Sequence, residues 1–522
     1  MIQNEPEGAG APGWRLSVFI ALIGGFMAIL DSSIVNIAIP KIMAEFTAST
    51  DQAEWVVTIY LLTLGVVVPI SGWLGDRMGY SRLYTLALAM FTLGSALCGF
   101  SWSIESLAAF RVLQALGGGL LMPLMMSMIY RMVPRDRIGS AMGVFGIAIV
   151  AAPAIGPTLG GYLVEYLNWR LIFYVNVPVG IAGVILSMTK LTRFAPMPTG
   201  RFDTWGLVTS VVGLFALLLG LSEGASWGWT SEAVELLLFT SLMSLALFVY
   251  LELTQPDPLL DLRVFRYRAF TISMLLTVTV TVGLFAGVFY IPLFLQTVRG
   301  LGALQTGLIL LPAALVSAVM MPISGRLYDG LGPTVPVVVG LAVLAAATYL
   351  FHDLSLVTPT AVIAGWMVLR SVGMGFAMMP IQTAGMTVIP TKLISRASAV
   401  SNIVQRVAGS FGLAALTAMM TSQQAVSQAQ ISAAATPGAL ATPWRLDAIA
   451  GLLSHGVQGV AQAGQAAAQL VAGIAAETAF VGAVDQIFVI AALAAAVGIV
   501  LALFLRAPRA RRSGPVPGAP EL

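Results

Sequence analysis

GWLGDRMGY occupies residues 72–80, and GRLYDGLGP occupies residues 325–333. Gly72, Leu74, Asp76 and Gly79 of the first stretch match Gly325, Leu327, Asp329 and Gly332 of the second at one constant offset. Each is a short polar interruption between long apolar runs. The chain is 58% hydrophobic and only 9% charged, against about 25% charged for a soluble domain. So little charge cannot cover a water-facing surface, and the apolar runs are read as membrane spans.

A spanning helix needs about 20 mostly apolar residues. Fourteen candidates follow, over residues 16–40, 54–75, 82–100, 105–129, 139–161, 170–190, 205–222, 234–254, 270–296, 303–322, 334–351, 360–382, 397–421 and 485–506. The first begins just after Arg15, is too long for a signal-peptide core and lacks a convincing cleavage site, so it is read as a retained helix. Basic residues test the count. With the N-terminus inside, only Lys41, Arg170, Arg299 and Arg445 fall in outer loops, and Arg111, Arg370 and Arg406 fall within spans. Every other one of the 26 Lys and Arg residues falls in an inner loop or tail. A miscounted helix would invert all later loops and destroy that bias, so both termini are placed inside.

The two matching stretches follow the second and tenth predicted helices. Two six-helix halves separated by a two-helix insert produce that spacing, with residues 1–200, 201–262 and 263–522 as the three parts. Repeats of this kind let transporters build a site between halves and alternate access to it. The outer segment 422–484 is rich in Ala and Gln, is interrupted by Arg445, Asp447, His455 and Glu477, and is expected to form one or two exposed amphipathic helices.

Net charge is +3, which implies no nucleic-acid partner. Cys98 is the one cysteine, so no intrachain disulfide exists; His352 and His455 lie in predicted loops, and no Cys/His constellation suggests a metal. There is no GxxxxGK[ST] phosphate loop and no nucleophile–base set, so neither ATP-driven transport nor an enzyme is expected, and no cofactor is implied.

Several motifs carry a family resemblance. LDSSIVNIAIP (Leu30–Pro40), GWLGDRMGYSR, FRVLQALGGGLLMP, GIAIVAAPAIGPTLGG, WRLIFYVNVP (Trp169–Pro178) and DPLLDLRVFRYRAF (Asp257–Phe270) occur in order. Together they resemble the major facilitator superfamily, and within it the fourteen-helix drug:proton antiporters of the EmrB/QacA type. The resemblance spans nearly the whole chain. It implies an all-α integral membrane protein of the major facilitator fold in a bacterial inner membrane, exporting amphipathic drugs in exchange for protons. It also implies that segment 422–484 docks a periplasmic membrane-fusion adaptor protein that leads to an outer-membrane channel. Two departures stand out: Tyr80–Ser81 replaces the expected basic pair after Gly79, with Arg82 displaced, and Ala152 replaces a motif glycine.

Asp31 lies in an apolar run in the outer half of the first predicted helix, where an ionised carboxylate needs a cavity or a partner; Ser32, Ser33 and Asn36 are nearby candidates. Arg111 has the same need, and Gln114 shares its face at i+3. The resemblance assigns Asp31 and Arg111 to proton coupling, with Glu223 a possible second group or simply an interfacial residue beside Trp227 and Trp229. Asn36, Gln114, Met122, Phe285, Phe289, Tyr290, Met378 and Arg406 are expected to line a substrate cavity, although methionines and aromatics at such spacing also serve plain packing. Gly72, Asp76, Arg77, Gly79 and Asp329 are read as a conformational lock, in which an aspartate meets a helix N-terminus or an arginine across the halves. Gly156, Pro157, Gly160 and Gly161 mark the antiporter motif, where small residues let helices approach. Asp485 is placed where the last helix begins on the outer side. An exporter of one endogenous metabolite, fatty acid or siderophore, and a non-transporting membrane sensor or scaffold, are the competing readings.

Overall fold

The structure is a computed structural model that describes residues 13–198, 200–434 and 460–505. It is all-helical among the described residues. Among those residues, fourteen helices are long and apolar enough to cross a membrane: α1 Trp14–Phe46, α2 Gln52–Met78, α3 Tyr80–Gly99, α4 Ile104–Met132, α5 Arg135–Tyr166, α6 Leu171–Lys190, α7 Thr204–Trp227, α8 Glu232–Thr254, α9 Arg268–Thr297, α10 Gln305–Leu331, α11 Thr334–Asp353, α12 Thr360–Thr387, α13 Thr391–Gln423 and α14 Ala476–Leu503.

Several boundaries differ from expectation, each for a local reason. Pro40 does not end α1. The helix continues to Phe46, because a lipid-embedded backbone keeps its internal bonds on either side of the single amide a proline lacks. Lys41 is therefore helical rather than in a loop, and Asp31 sits near the middle of α1 rather than in its outer half. The stretch Gly72–Met78 is likewise helical rather than a loop, and only Gly79, at φ 84°, makes the turn. Asp329 lies inside α10, and Gly332 ends that helix at φ 83°. A side chain at either turn would strain the backbone, which is why the repeat places glycine there twice. Helical structure also runs into the expected outer segment, over Ile394–Ala434 and Val460–Leu503, leaving Arg445, Asp447 and His455 outside the described residues. Asp485 is consequently inside α14, with its Oδ1 buried and lacking a hydrogen-bond partner, not where the helix begins.

The repeat extends to helix packing. A Cβ on Gly117 of α4 would lie 2.5 Å from the Ala87 carbonyl and Phe91 amide of α3. A Cβ on Gly373 of α12 would lie 2.4 Å from the Leu344 amide and 2.7 Å from the Gly340 carbonyl of α11. Ala87 and Phe91 stand to Gly340 and Leu344 at the same offset that relates Gly72 to Gly325. Between lipid-soluble helices such backbone approach is a main source of attraction, and only glycine permits it.

Helices α7 and α8 pack on each other, and α7 also touches α2 and α13. Leu218 and Leu219 of α7 pack with Leu62 of α2. Across the molecule, α5 and α10 cross at glycines: a Cβ on Gly139 would lie 2.4 Å from the Gly325 carbonyl, and one on Gly143 would lie 2.6 Å from Pro322 Cα. Near the same end, Ser398 Oγ of α13 donates to the Pro123 carbonyl of α4 at 3.0 Å. Helices α1–α6 and α9–α14 are thus drawn together at the end where α10 meets the start of α5.

Gly143→Leu should force α5 and α10 apart at that end. In a Cys98→Ser background, a cysteine replacing the fully buried Met321 is expected to gain reactivity toward maleimide when Gly143→Leu is added. Unchanged reactivity would show that the crossing absorbs the leucine.

Candidate functional site

Asp31 and Arg111 form an ion pair between α1 and α4, and both side chains are excluded from solvent. Three donors converge on the carboxylate. Arg111 reaches Oδ2, while Gln114 Nε2 and Asn176 Nδ2 donate to Oδ1 at 2.8 and 3.2 Å. Arg111 in turn donates to Gln114 Oε1 at 2.8 Å and to the Val56 carbonyl at 3.4 Å, and its guanidinium carbon stands 3.6 Å above the Tyr60 ring. Gln114 also donates to Ser95 Oγ at 2.6 Å and accepts from the Cys98 thiol at 3.6 Å. Ser32 and Ser33 donate back to the carbonyls of Ile29 and Leu30, and Asn36 is exposed, so the neighbours of Asp31 in sequence are not its partners.

The glycines of GIAIVAAPAIGPTLGG pack directly beside this cluster. A Cβ on Gly156 would lie 2.2 Å from Ser33 Oγ, and one on Gly160 would lie 2.7 Å from Ile34. Pro157 shares that helix, and Gly161 faces open space. Helix α5 therefore uses glycine against α10 toward one end and against α1 toward the other.

The two repeat aspartates behave differently. Asp329 accepts from the Gly139 and Ser140 amides, each at 2.9 Å, and from Ser140 Oγ at 2.7 Å. These amides belong to the first turn of the α-helix Ile138–Tyr166, where donors lack intrahelical partners and an anion is favoured. Asp76 instead accepts from the Tyr80 hydroxyl and lies 3.8 Å from Arg131. Tyr80 and Ser81, the departure from the motif, thereby gain a role. Tyr80 lies under Arg131 at 4.5 Å, and Ser81 Oγ donates to the Thr192 carbonyl at 2.6 Å while accepting from the Phe194 amide at 3.1 Å. The segment after α6 is laid across the turn, and its Met197 amide reaches the Asp76 carbonyl at 2.7 Å. Arg77 stacks on Trp73 at 5.1 Å.

Residues 21–413 match the family model of the Major Facilitator Superfamily. The chain belongs to the major facilitator superfamily. It is 38% identical over 418 residues to the MFS-type transporter YhcA of Bacillus subtilis, covering 80% of this chain and 79% of the relative. It is 32% identical over 424 residues to the lincomycin resistance protein LmrB of Listeria monocytogenes, covering 81% of this chain and 90% of the relative. The crystal structure of the human organic anion transporter MFSD10 superposes with a TM-score of 0.60 at 12% identity, covering 94% of this chain and all of that one, a likeness of fold.

In this major facilitator protein, the residues expected to line a cavity separate into groups. Gln114 belongs to the buried ion-pair cluster. Tyr290 is fully buried and shares a hydrogen bond with Thr417 at 3.2 Å. Asn36 and Phe289 are exposed, and Met122, Phe285, Met378 and Arg406 are half-buried on α4, α9, α12 and α13. Phe285 packs on Gly409, and Met378 lies with Thr277, Gln382 and Gln405 around a narrow cavity. Glu223, near the end of α7, accepts from Ser226 Oγ at 2.9 Å, within its own helix. Arg370 of α12 is fully buried and donates to the Gly283 carbonyl of α9. No cluster that could hold a metal occurs among the described residues. Sequence reasoning missed Asn176 and Tyr60 as site residues. Asn176 had a signal, as a lone amide inside the apolar stretch WRLIFYVNVP; Tyr60 looked like any membrane aromatic.

Removing one member of a buried ion pair strands the other charge, at about 3–5 kcal/mol. Arg111→Leu alone is expected to destabilise the folded protein by about that much, and the double variant Asp31→Leu/Arg111→Leu by less, because no charge is left unpaired. Unfolding of the purified protein followed by thiol exposure of Cys98 would measure both.

Proposed function

We propose that the protein is a proton-coupled antiporter of the EmrB/QacA type that exports amphipathic compounds, drugs among them, across the bacterial cytoplasmic membrane. The observation that carries this reading is the Asp31–Arg111 pair in the middle of the bundle. Asp31 is the coupling group. When it takes up a proton, Arg111 becomes an uncompensated buried cation, a state the protein escapes by letting water or substrate reach the site. Proton binding thereby favours one arrangement of the halves over the other. The resistance protein among the relatives supports export as the direction. Glu223 is the second group to test, since it is bound only to its own helix end.

Residues 1–200 and 263–522 act as the moving halves, with 201–262 as an insert riding on α2 and α13. The Asp329–α5 contact and the turn at Asp76 are the lock. With both termini cytoplasmic, the closed end described above is the inner one. Segment 422–484 is the proposed docking surface for a periplasmic adaptor.

Proteoliposomes with an imposed pH gradient test the coupling. Amphipathic compounds added to wild type are expected to dissipate the gradient, and Asp31→Asn should abolish this at unchanged reconstitution. Flux retained in Asp31→Asn moves the coupling group to Glu223; no flux in wild type with any compound ends the antiport reading. Orientation has its own check in a Cys98→Ser background. Cysteines replacing the exposed Thr47 and Ala195 are expected to react with a membrane-impermeant maleimide from outside and from inside, respectively.

A further inference from the structure

Not every charged side chain in the bundle has an ion-pair partner among the described residues. Asp31 is fully engaged by Arg111, Gln114 and Asn176. Two more arginines, Arg370 and Arg406, lie in α12 and α13. Among the described residues neither has a carboxylate within ion-pair distance. Arg370 is held by the Gly283 carbonyl and is wholly enclosed. Both have a buried Nε with no hydrogen-bond partner, and Arg406 differs in staying partly accessible as a residue. A guanidinium in a membrane span is costly unless paired or hydrated, so an accessible, unpaired one marks a place for an anion.

The surroundings of Arg406 suit an amphipathic ligand. One turn further along α13, Gly409 admits the Phe285 ring, with ring carbon Cε2 only 2.7 Å from where a Cβ would stand. Exposed Phe289 follows one turn later on α9. On the other side, Gln405 lines the narrow cavity with Met378 and Gln382, and Gln382 Oε1 is buried without a partner. A partly accessible cation one turn from an aromatic wall suits a molecule with an acidic head and an apolar body. A cationic amphiphile finds no free carboxylate here.

We propose that Arg406 binds a carboxylate or comparable anionic group of the transported molecule, so that the preferred substrates are amphipathic organic anions. This rests on the export reading above and narrows its substrate class.

A matched probe series tests it: naphthalene-2-acetate, its amide, and the trimethylammonium analogue with the same ring. Binding is measured to purified full-length protein in phosphatidylcholine nanodiscs. Wild type is expected to bind the carboxylate about tenfold or more tighter than the amide, as a charge-assisted bond provides. Arg406→Gln should erase that preference, Arg406→Lys should keep part of it, and Arg406→Glu should shift it to the trimethylammonium compound. Equal binding of carboxylate and amide by wild type, including no binding of either, overturns the proposal, as does a preference that survives in Arg406→Gln. Adding phosphatidylglycerol separates the sources of the anion. A carboxylate preference that persists supports a transported anion, and one that vanishes assigns the site to a lipid headgroup and overturns the substrate assignment. Proton flux driven by the amide or ammonium probes, without carboxylate preference, would sink this inference while leaving antiport standing; absent flux with every compound would sink antiport alone if the carboxylate preference holds.

Discussion

The Asp31–Arg111 pair is the interaction around which five of the first six helices are arranged. Its partners come from α2 (the Val56 carbonyl and the Tyr60 ring), α3 (Ser95 and Cys98, through Gln114) and α6 (Asn176). Five helices are thus oriented around one neutralised charge pair. In water such a cluster would contribute little. In a lipid-embedded bundle the alternative is a bare charge or an unsatisfied amide, and each partner is held by the cost of leaving. That makes the cluster a structural centre of the bundle.

Lipid offers no hydrophobic reward for helix association, so the rest of the bundle is held by close backbone approach. Helix α5 shows how this is divided. Gly139 and Gly143 meet α10, while Gly156 and Gly160 meet α1 beside Asp31. One helix therefore touches both α10 and the residues flanking Asp31. Displacement at one crossing shifts the other, because a packed glycine interface leaves little room to yield.

The internal repeat is equal in backbone and unequal in contacts. Gly79 and Gly332 adopt nearly the same positive φ, and the α3–α4 crossing is matched by α11–α12. Asp329 of α10 caps α5, whereas Asp76 meets Tyr80 and Arg131. Two copies of one motif thus occupy two different states. An aspartate has one charge to place, on a helix N-terminus or on a neighbouring donor.

The count of fourteen spans, the repeat, and Asp31 and Arg111 as candidates were legible in the sequence, because hydropathy, offset and the cost of a charge in lipid are properties of residues in order. Local signals misled where lipid overrode them. Pro40 did not stop α1, GWLGDRM proved helical up to Gly79, and Asp485 fell within α14. What only the tertiary structure decided is pairing: that Arg111 reaches Asp31 with Asn176 rather than Asn36, that Gln114 belongs to that cluster, and that Arg406 has no carboxylate partner among the described residues. Partners in a bundle are set by which helix faces meet, and distance along the chain carries no information about that.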